Sequence, residues 1–179
     1  MNMENNQAEP GRHYAAVRAR LADAGQITVL HIGADATTVA VGDGAAPAAS
    51  RRLAMGARRT AREYFRRSPP GRLEFEIAIE PVEDEITTLV GMLPPASTLY
   101  STDPGLRHIA LLAGVAESAA MRLELDAMER VFSRLAAVIE GKPATREGIP
   151  EDNEFAAMLL ILREFMHHLR FSEIVILSA

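Results

Sequence analysis

The segment from Thr28 to Gly42 constrains the fold of this chain more than any other part of the sequence. Apolar and β-branched residues at 27–32 and again at 37–42 predict two buried strands. The residues between them, from Gly33 to Ala36, are small and begin with a glycine, which is typical of a tight turn. The segment therefore predicts a strand–turn–strand unit whose exposed backbone N–H groups can face an anion.

Strand and helix patterns alternate along the rest of the chain. A helix is predicted at 13–24, ending at Gly25, and a third strand at 49–54 closes a meander. The other predicted elements are a helix at 56–66, a strand at 98–101, helices at 105–119, 123–140 and 151–169, and a terminal strand at 173–177. The terminal strand is apolar, so it must pair inside a sheet.

The segment at 73–93 combines two periodicities. Apolar residues first alternate with polar ones, which predicts a half-buried strand at 73–80, with a helix as the alternative. The alternating apolar residues are Leu73, Phe75, Ile77 and Ile79. Beyond Pro81 the apolar residues recur at helical spacing, so a helix is predicted from there to residue 93.

This order of elements predicts an α/β fold with a mixed sheet flanked by helices, in which a β-meander precedes alternating helices and strands. At 179 residues the chain is long enough for one domain with a sizeable core. Residues 1–12 are polar and predict a disordered N-terminal tail, which leaves a single domain at 13–179.

Composition limits the kinds of function to consider. The sequence has no cysteine, which excludes a disulfide framework, a thiolate zinc site and a thiol nucleophile. It has no apolar run of membrane-spanning length and no signal-peptide pattern. We therefore expect a cytoplasmic protein that does not act at a membrane.

Charge is segregated along the chain, although the net charge is only −5. Residues 51–72 carry eight arginines and one acid, whereas residues 73–100 carry six acids and no basic residue. One interpretation is a cationic face for a polyanion, and the other is a solvated helix face that a neighbouring acidic face neutralises. We favour the second, which argues against nucleic acid as a partner.

Histidines and clustered acids are the candidates for a metal site, but neither group has a metal-ligand spacing. His167 and His168 are adjacent on a helix and project about 100° apart, so they do not chelate one ion together. The acidic run Glu83–Glu85 is expected at the start of a helix, where it complements the dipole. His31 lies in an apolar strand and is expected to be buried and hydrogen-bonded. The sequence therefore predicts no metal site.

The first hairpin and the elements after it resemble the second domain of the exopolyphosphatase / guanosine-pentaphosphate phosphatase family, which has the actin-like, ribonuclease H-like fold. The family's Asp-Ile-Gly-Gly-Gly-Ser-Thr-Glu hairpin corresponds to residues 31–38, His-Ile-Gly-Ala-Asp-Ala-Thr-Thr. Its Gly-Ala-x-Arg segment corresponds to residues 56–59, Gly-Ala-Arg-Arg. Together with the paired C-terminal helices and the last strand, the resemblance covers residues 27–179.

The resemblance implies a phosphate site at the hairpin turn and at the helix that follows the meander. The candidate phosphate-binding residues are Gly33, Ala34, Asp35, Ala36, Thr37, Arg58 and Arg59. It also implies Mg²⁺ as the cofactor of an active enzyme. The family's catalytic glutamate lies in a preceding first domain, so the catalytic residues of this chain stay unknown.

Four departures from the family pattern bear on activity. His31 stands where the family has an aspartate, and it is a poor ligand for Mg²⁺. Ala34 and Asp35 replace two glycines, so a Cβ and a negative charge meet a bound phosphate. Ala36 replaces the hairpin serine. The Thr-Asp-Pro-Gly sequence at 102–105 replaces a second glycine-rich loop, and its proline lacks an N–H donor.

Two hypotheses about function follow. The first is a stand-alone, degenerate exopolyphosphatase-like domain without catalysis, which pairs with itself as a homodimer or with a separately encoded first domain. The alternative is a Mg²⁺-dependent phosphohydrolase of polyphosphate or guanosine pentaphosphate, with its site completed by a partner domain. We favour the first, because the sequence positions no general base and no set of hard-metal ligands. A polyphosphate or nucleotide phosphate ligand is compatible with both.

Overall fold

Six strands form one mixed sheet. The computed structural model describes residues 3–21 and 25–178, with the backbone alone for residues 3–8. The strands are β1 (Ile27–Ile32), β2 (Thr37–Gly42), β3 (Ala49–Leu53), β4 (Thr98–Ser101), β5 (Ala120–Glu124) and β6 (Glu173–Leu177). Their order across the sheet is β3-β2-β1-β4-β6-β5.

The direction of the strands changes along the sheet. The first three strands form an antiparallel meander, and β4 and β6 continue the sheet parallel to β1. At the far edge β5 pairs antiparallel with β6. The predicted α/β fold, with a meander followed by alternating helices and strands, is confirmed.

Helices cover both faces of the sheet. They are α1 (Met3–Arg18), α2 (Ala57–Tyr64), α3 (Arg72–Thr87), α4 (Pro104–Leu112), α5 (Leu125–Ile139), α6 (Ala144–Glu147) and α7 (Asn153–His168). Among the described residues, none of these helices combines the length and the apolar character that crossing a membrane requires.

Strand β1 separates two hydrophobic clusters because its side chains alternate between the faces of the sheet. Leu30 and Ile32 join the main core, to which helices α2 to α7 also contribute. Ile27 and Val29 point to the other face, where Tyr14 of α1 completes a smaller cluster. The end of β1 is therefore held from both sides, which fixes the position of the turn that follows it.

Residues 73–80 are helical, so the predicted strand at this position is wrong. Helix α3 runs from Arg72 to Thr87 without a break and has Pro81 inside it. Its buried residues are Phe75, Ala78, Val82 and Ile86. Leu73 and Ile77 are 67% and 55% exposed, so the alternating apolar pattern does not define a buried strand face.

Two further segments differ from the sequence-based expectation. The helices predicted at 105–119 and 123–140 left only three residues between them, but the structure has strand β5 there. In β5, Met121 and Leu123 are buried and alternate with exposed residues, as in a strand with one face on the core. Residues 3–12, expected as part of a disordered tail, belong to α1, where Glu9 lies 3.6 Å from Arg52 of β3. Part of the helix predicted at 13–24 falls on 22–24, outside the described residues.

Candidate functional site

The turn between β1 and β2 is bound to the first turn of α2. The Gly33 N–H donates to the Ala36 carbonyl at 2.9 Å, which closes the turn. The carbonyl oxygens of Gly33 and Ala34 accept hydrogen bonds from the N–H groups of Ala57 (2.9 Å) and Arg59 (3.0 Å). Two N–H groups at the start of α2 are thus used by the turn, although helix N-termini are common sites for anions.

Asp103 joins the end of β1 to the start of α4. Its carboxylate accepts hydrogen bonds from the N–H groups of Gly105 (2.8 Å) and Ile32 (3.1 Å). Its own N–H donates to the Ser101 hydroxyl at 3.0 Å, and the residue is only 3% exposed. This buried carboxylate therefore engages one backbone donor at the end of β1, directly before the hairpin turn, and one in the segment that replaces the family's second glycine-rich loop.

One histidine lies next to this carboxylate, and a second histidine stacks on the first. The Nδ1 atom of His31 is 3.3 Å from the Asp103 Oδ2 atom, which is an ion-pair distance. The geometry is not that of a hydrogen bond, so this buried nitrogen has no hydrogen-bond partner among the described residues, although the sequence predicts a hydrogen-bonded His31. The ring of His13 stacks on His31 at 3.9 Å between centroids. Burial, followed by the proximity of His31, lowers the pKa of His13.

The other predicted site residues are dispersed around the turn. The hydroxyl of Thr37 is buried and has no hydrogen-bond partner among the described residues. The Arg58 guanidinium pairs with Glu154 at 3.3 Å, and that of Arg59 pairs with Glu63 at 2.9 Å. The structure thus brings the predicted turn residues and the backbone of α2 together, whereas both arginine side chains contact carboxylates.

A cleft of about 380 Å³ lies beside Asp103, between the first turns of α2, α4 and α7. It is lined by Ala57, Pro104, Gly105, His108, Pro150, Asp152, Glu154, Phe155 and Met158. Sequence reasoning did not identify this cleft, nor the linking role of Asp103. The sequence did contain a signal for the two helix starts that line the cleft. Asp103 and Asp152 each directly precede a helix, the position at which aspartate caps a helix N-terminus.

Solved structures with this fold are known, although the scan against family models and the search of curated proteins gave no match. The Aquifex aeolicus PPX-GPPA enzyme superposes with a TM-score of 0.76 at 17% identity, covering 95% of this chain and 59% of that one. An exopolyphosphatase-like protein gives 0.71 at 14% identity, covering 97% and 62%. An exopolyphosphatase from Cytophaga hutchinsonii gives 0.60 at 13% identity, covering 97% and 59%.

These similarities establish the fold of an exopolyphosphatase-like domain, as the sequence resemblance predicts. Each identity is far below the level at which function follows from similarity. The chain also spans only about 59–62% of the length of the structures it matches. Activity and ligand must therefore be argued from the residues of this chain.

Proposed function

We propose that this exopolyphosphatase-like domain is a non-catalytic binding module in which the carboxylate of Asp103 takes the place of a bound phosphate. One observation carries the proposal: the buried carboxylate accepts hydrogen bonds from the N–H of Ile32, the last residue of β1 before the hairpin turn, and from the N–H of Gly105 at the start of α4. For its location we propose the cytoplasm.

Electrostatics favour this interpretation over a working phosphate site. A phosphate competing for these donors would lie near a fixed negative charge, and two like charges 4 Å apart repel by about 4 kcal/mol at an effective dielectric constant of 20. A hydrogen bond to a charged group contributes only about 1.5–3 kcal/mol in return. The carboxylate of Asp35 on the turn adds repulsion of the same sign.

The partner that we propose is a second copy of this chain, with a separately encoded first domain as the other candidate. Leu73 and Ile77 are four residues apart on α3 and are 67% and 55% exposed. Residues at this spacing lie side by side on a helix, so they form one apolar surface. Burying such a surface between two identical helices favours a symmetric dimer.

A specific observation keeps the phosphohydrolase as the second candidate. His31 next to a buried aspartate is a pair that can act as a general base, because the carboxylate stabilises the imidazolium that forms when the ring takes a proton. In that case phosphate would occupy the turn from Gly33 to Thr37, and a partner domain would supply the missing residues and help to hold Mg²⁺.

A thermal-shift titration distinguishes the two candidates. The ligands are polyphosphate, guanosine pentaphosphate, ATP and inorganic phosphate, each with and without Mg²⁺. A ligand at a hundred times its Kd stabilises the folded state by about 2.7 kcal/mol, which is easily detected. The non-catalytic module predicts no saturable shift with any of them, whereas a phosphohydrolase predicts a saturable shift that depends on Mg²⁺.

The same titration on a variant of the turn tests whether the turn alone prevents anion binding. The double substitution Ala34→Gly and Asp35→Gly restores the glycines of the family pattern and removes one negative charge. Because Asp103 still holds its N–H donors, we expect this variant to give no phosphate-selective shift either. A saturable shift in the variant would mean that the hairpin, and not Asp103, is what blocks the site.

A further inference from the structure

Three side chains from two helices converge where α3 packs against α7. Glu83 comes from α3, whereas Glu164 and His168 lie one turn apart on α7. The His168 Nε2 atom is 3.3 Å from the Glu83 Oε1 atom and 3.3 Å from the Glu164 Oε2 atom. One ligand atom from each residue lies within 4.8 Å of the other two.

These distances are those of ion pairs, and they are also compatible with shared coordination of one ion. A hydrogen bond between a charged nitrogen and a carboxylate is about 2.7–2.9 Å long, shorter than either contact. A tetrahedral ion with bonds of about 2.0–2.1 Å has ligand atoms about 3.3–3.4 Å apart. Both nitrogen–oxygen distances match the edge of such a tetrahedron, and the third edge, between the two carboxylate oxygens, is at most 4.8 Å long.

The buried member of the group is oriented by a second layer of contacts. Glu164 is 2% exposed, and its Oε1 atom accepts a hydrogen bond from Arg163 at 2.7 Å. Arg163 also donates to Glu129 at 2.9 Å and lies over the Phe132 ring at 4.4 Å. The second oxygen of Glu164 is left directed at His168, and such outer contacts are typical of metal ligands.

Carboxylates outnumber guanidiniums in this group. Arg163 pairs with Glu129 and Glu164, whereas Glu83 contacts only an imidazole, that of His168, among the described residues. Glu83 also lies near the C-terminal end of α3, not at a helix start as the sequence suggests. The helix dipole disfavours an anion at that end, so a divalent cation beside Glu83 is electrostatically favourable.

We propose that Glu83, Glu164 and His168 bind a divalent transition-metal ion of the Zn²⁺ class. The imidazole selects such ions over Mg²⁺, which prefers an all-oxygen shell. Three protein ligands leave a fourth position for water, and the partly exposed side chains of Glu83 and His168 provide a path for entry. The ion would fasten α3 to α7. This inference does not depend on the proposed function of the domain.

Calorimetric titration of the metal-free full chain with Zn²⁺ tests the proposal. We expect one ion per chain, with affinity at least tenfold lower in His168→Ala and in Glu83→Gln. The matched controls are His167→Ala, whose imidazole contacts Glu129 instead, and Asp84→Asn, next to Glu83 on the exposed surface. Both controls should bind within about threefold of the unsubstituted chain.

Cobalt gives an independent readout, because four-coordinate Co²⁺ absorbs visible light more strongly than octahedral Co²⁺. The unsubstituted chain should develop this absorption, and His168→Ala should lose it while circular dichroism reports an intact fold. The proposal is overturned if the chain shows no saturable Zn²⁺ binding, or if binding survives in His168→Ala and Glu83→Gln. It is also overturned if His167→Ala alone abolishes binding.

Discussion

At the scale of single residues, Gly56 determines how closely the β1–β2 turn can approach α2. A Cβ at this position would lie 2.5 Å from the Ala36 nitrogen and 2.6 Å from the Gly33 oxygen. These contacts involve backbone atoms of the turn, so no side-chain rotation can relieve them. The residue is glycine because a backbone segment occupies the space of its side chain.

Substituting Gly56 should therefore separate the turn from the helix. We expect Gly56→Ala to lower the free energy of unfolding by about 1–3 kcal/mol, as overpacking generally does. Gly44→Ala is the control, because the nearest atom to its added Cβ is 3.8 Å away. Chemical denaturation measures both variants, and equal stability of the two would contradict the tight contact described here.

The stacked histidines make the attachment of α1 sensitive to pH. The pKa of His13 is lowered by burial and by His31, although Glu9 and Asp103 oppose the shift. The unfolded chain then binds the proton more tightly than the folded chain, so protonation favours unfolding. Stability contributed by neutral His13 is present above the ordinary histidine pKa of about 6.5 and is lost as the pH falls below it.

The measurement is the melting temperature, taken between about pH 7.5 and about pH 5.5, a range that spans the ordinary histidine pKa. We expect acidification to lower the melting temperature of the unsubstituted protein more than that of His13→Gln. Carboxylates that titrate in both proteins cancel in this comparison. Identical pH profiles would show that His13 does not contribute.

At the scale of secondary-structure elements, α3 explains why periodicity alone misleads. The alternation of Leu73, Phe75, Ile77 and Ile79 is a strand pattern, but two of these side chains are largely exposed in the helix. The helical set that includes Ala78 is buried instead, and it continues across Pro81. Local alternation predicts a strand only when all the alternating residues have a core to face.

Substitutions at residues 78 and 80, which lie on the same face of a strand but not of a helix, distinguish the two structures. In a strand, residues 78 and 80 would share the solvent face, so leucine would be tolerated at both. In the helix Ala78 is fully buried and Glu80 is exposed. We expect Ala78→Leu to cost about 1–3 kcal/mol and Glu80→Leu to stay within about 0.5 kcal/mol in denaturant titrations. Equal tolerance would favour the strand.

Strand β5 shows the opposite error, in which a strand that exists was not predicted. A short edge strand gives only a weak pattern in the sequence. Only Met121 and Leu123 are buried in it, and two alternating residues are too few to distinguish a strand from the start of α5, which follows at Leu125. By contrast, β1 and β2 are buried along most of their length and flank a glycine-containing turn. This is why the hairpin was predictable residue by residue and the far edge of the sheet was not.

At the scale of the whole molecule, the order of elements was enough to predict the fold class and its relatives. The contact between Ile32 and Asp103 was not predictable, because it joins residues far apart in sequence. Sequence reasoning placed Asp103 in the segment that replaces a glycine-rich loop but had no means to locate its partners. The cleft beside it is likewise formed by three helix starts that only the tertiary structure brings together.

The apolar surface on α3 predicts how the chain assembles. We expect a dimer in size-exclusion chromatography with light scattering. Leu73→Glu combined with Ile77→Glu should give a monomer, because four glutamates would then meet across a symmetric interface. Glu80→Leu, on the same helix, should leave the dimer intact. A monomer at high concentration before any substitution would remove the support for homodimerisation.

The central claim is that the carboxylate of Asp103 closes the phosphate site of this exopolyphosphatase-like domain, and the most direct test is release of inorganic phosphate. The purified chain is incubated with polyphosphate or guanosine pentaphosphate in the presence of Mg²⁺, beside a His31→Ala variant. We predict release no faster than in the absence of protein for both. Release that rises with protein concentration and disappears in His31→Ala would contradict the claim and identify a working phosphohydrolase.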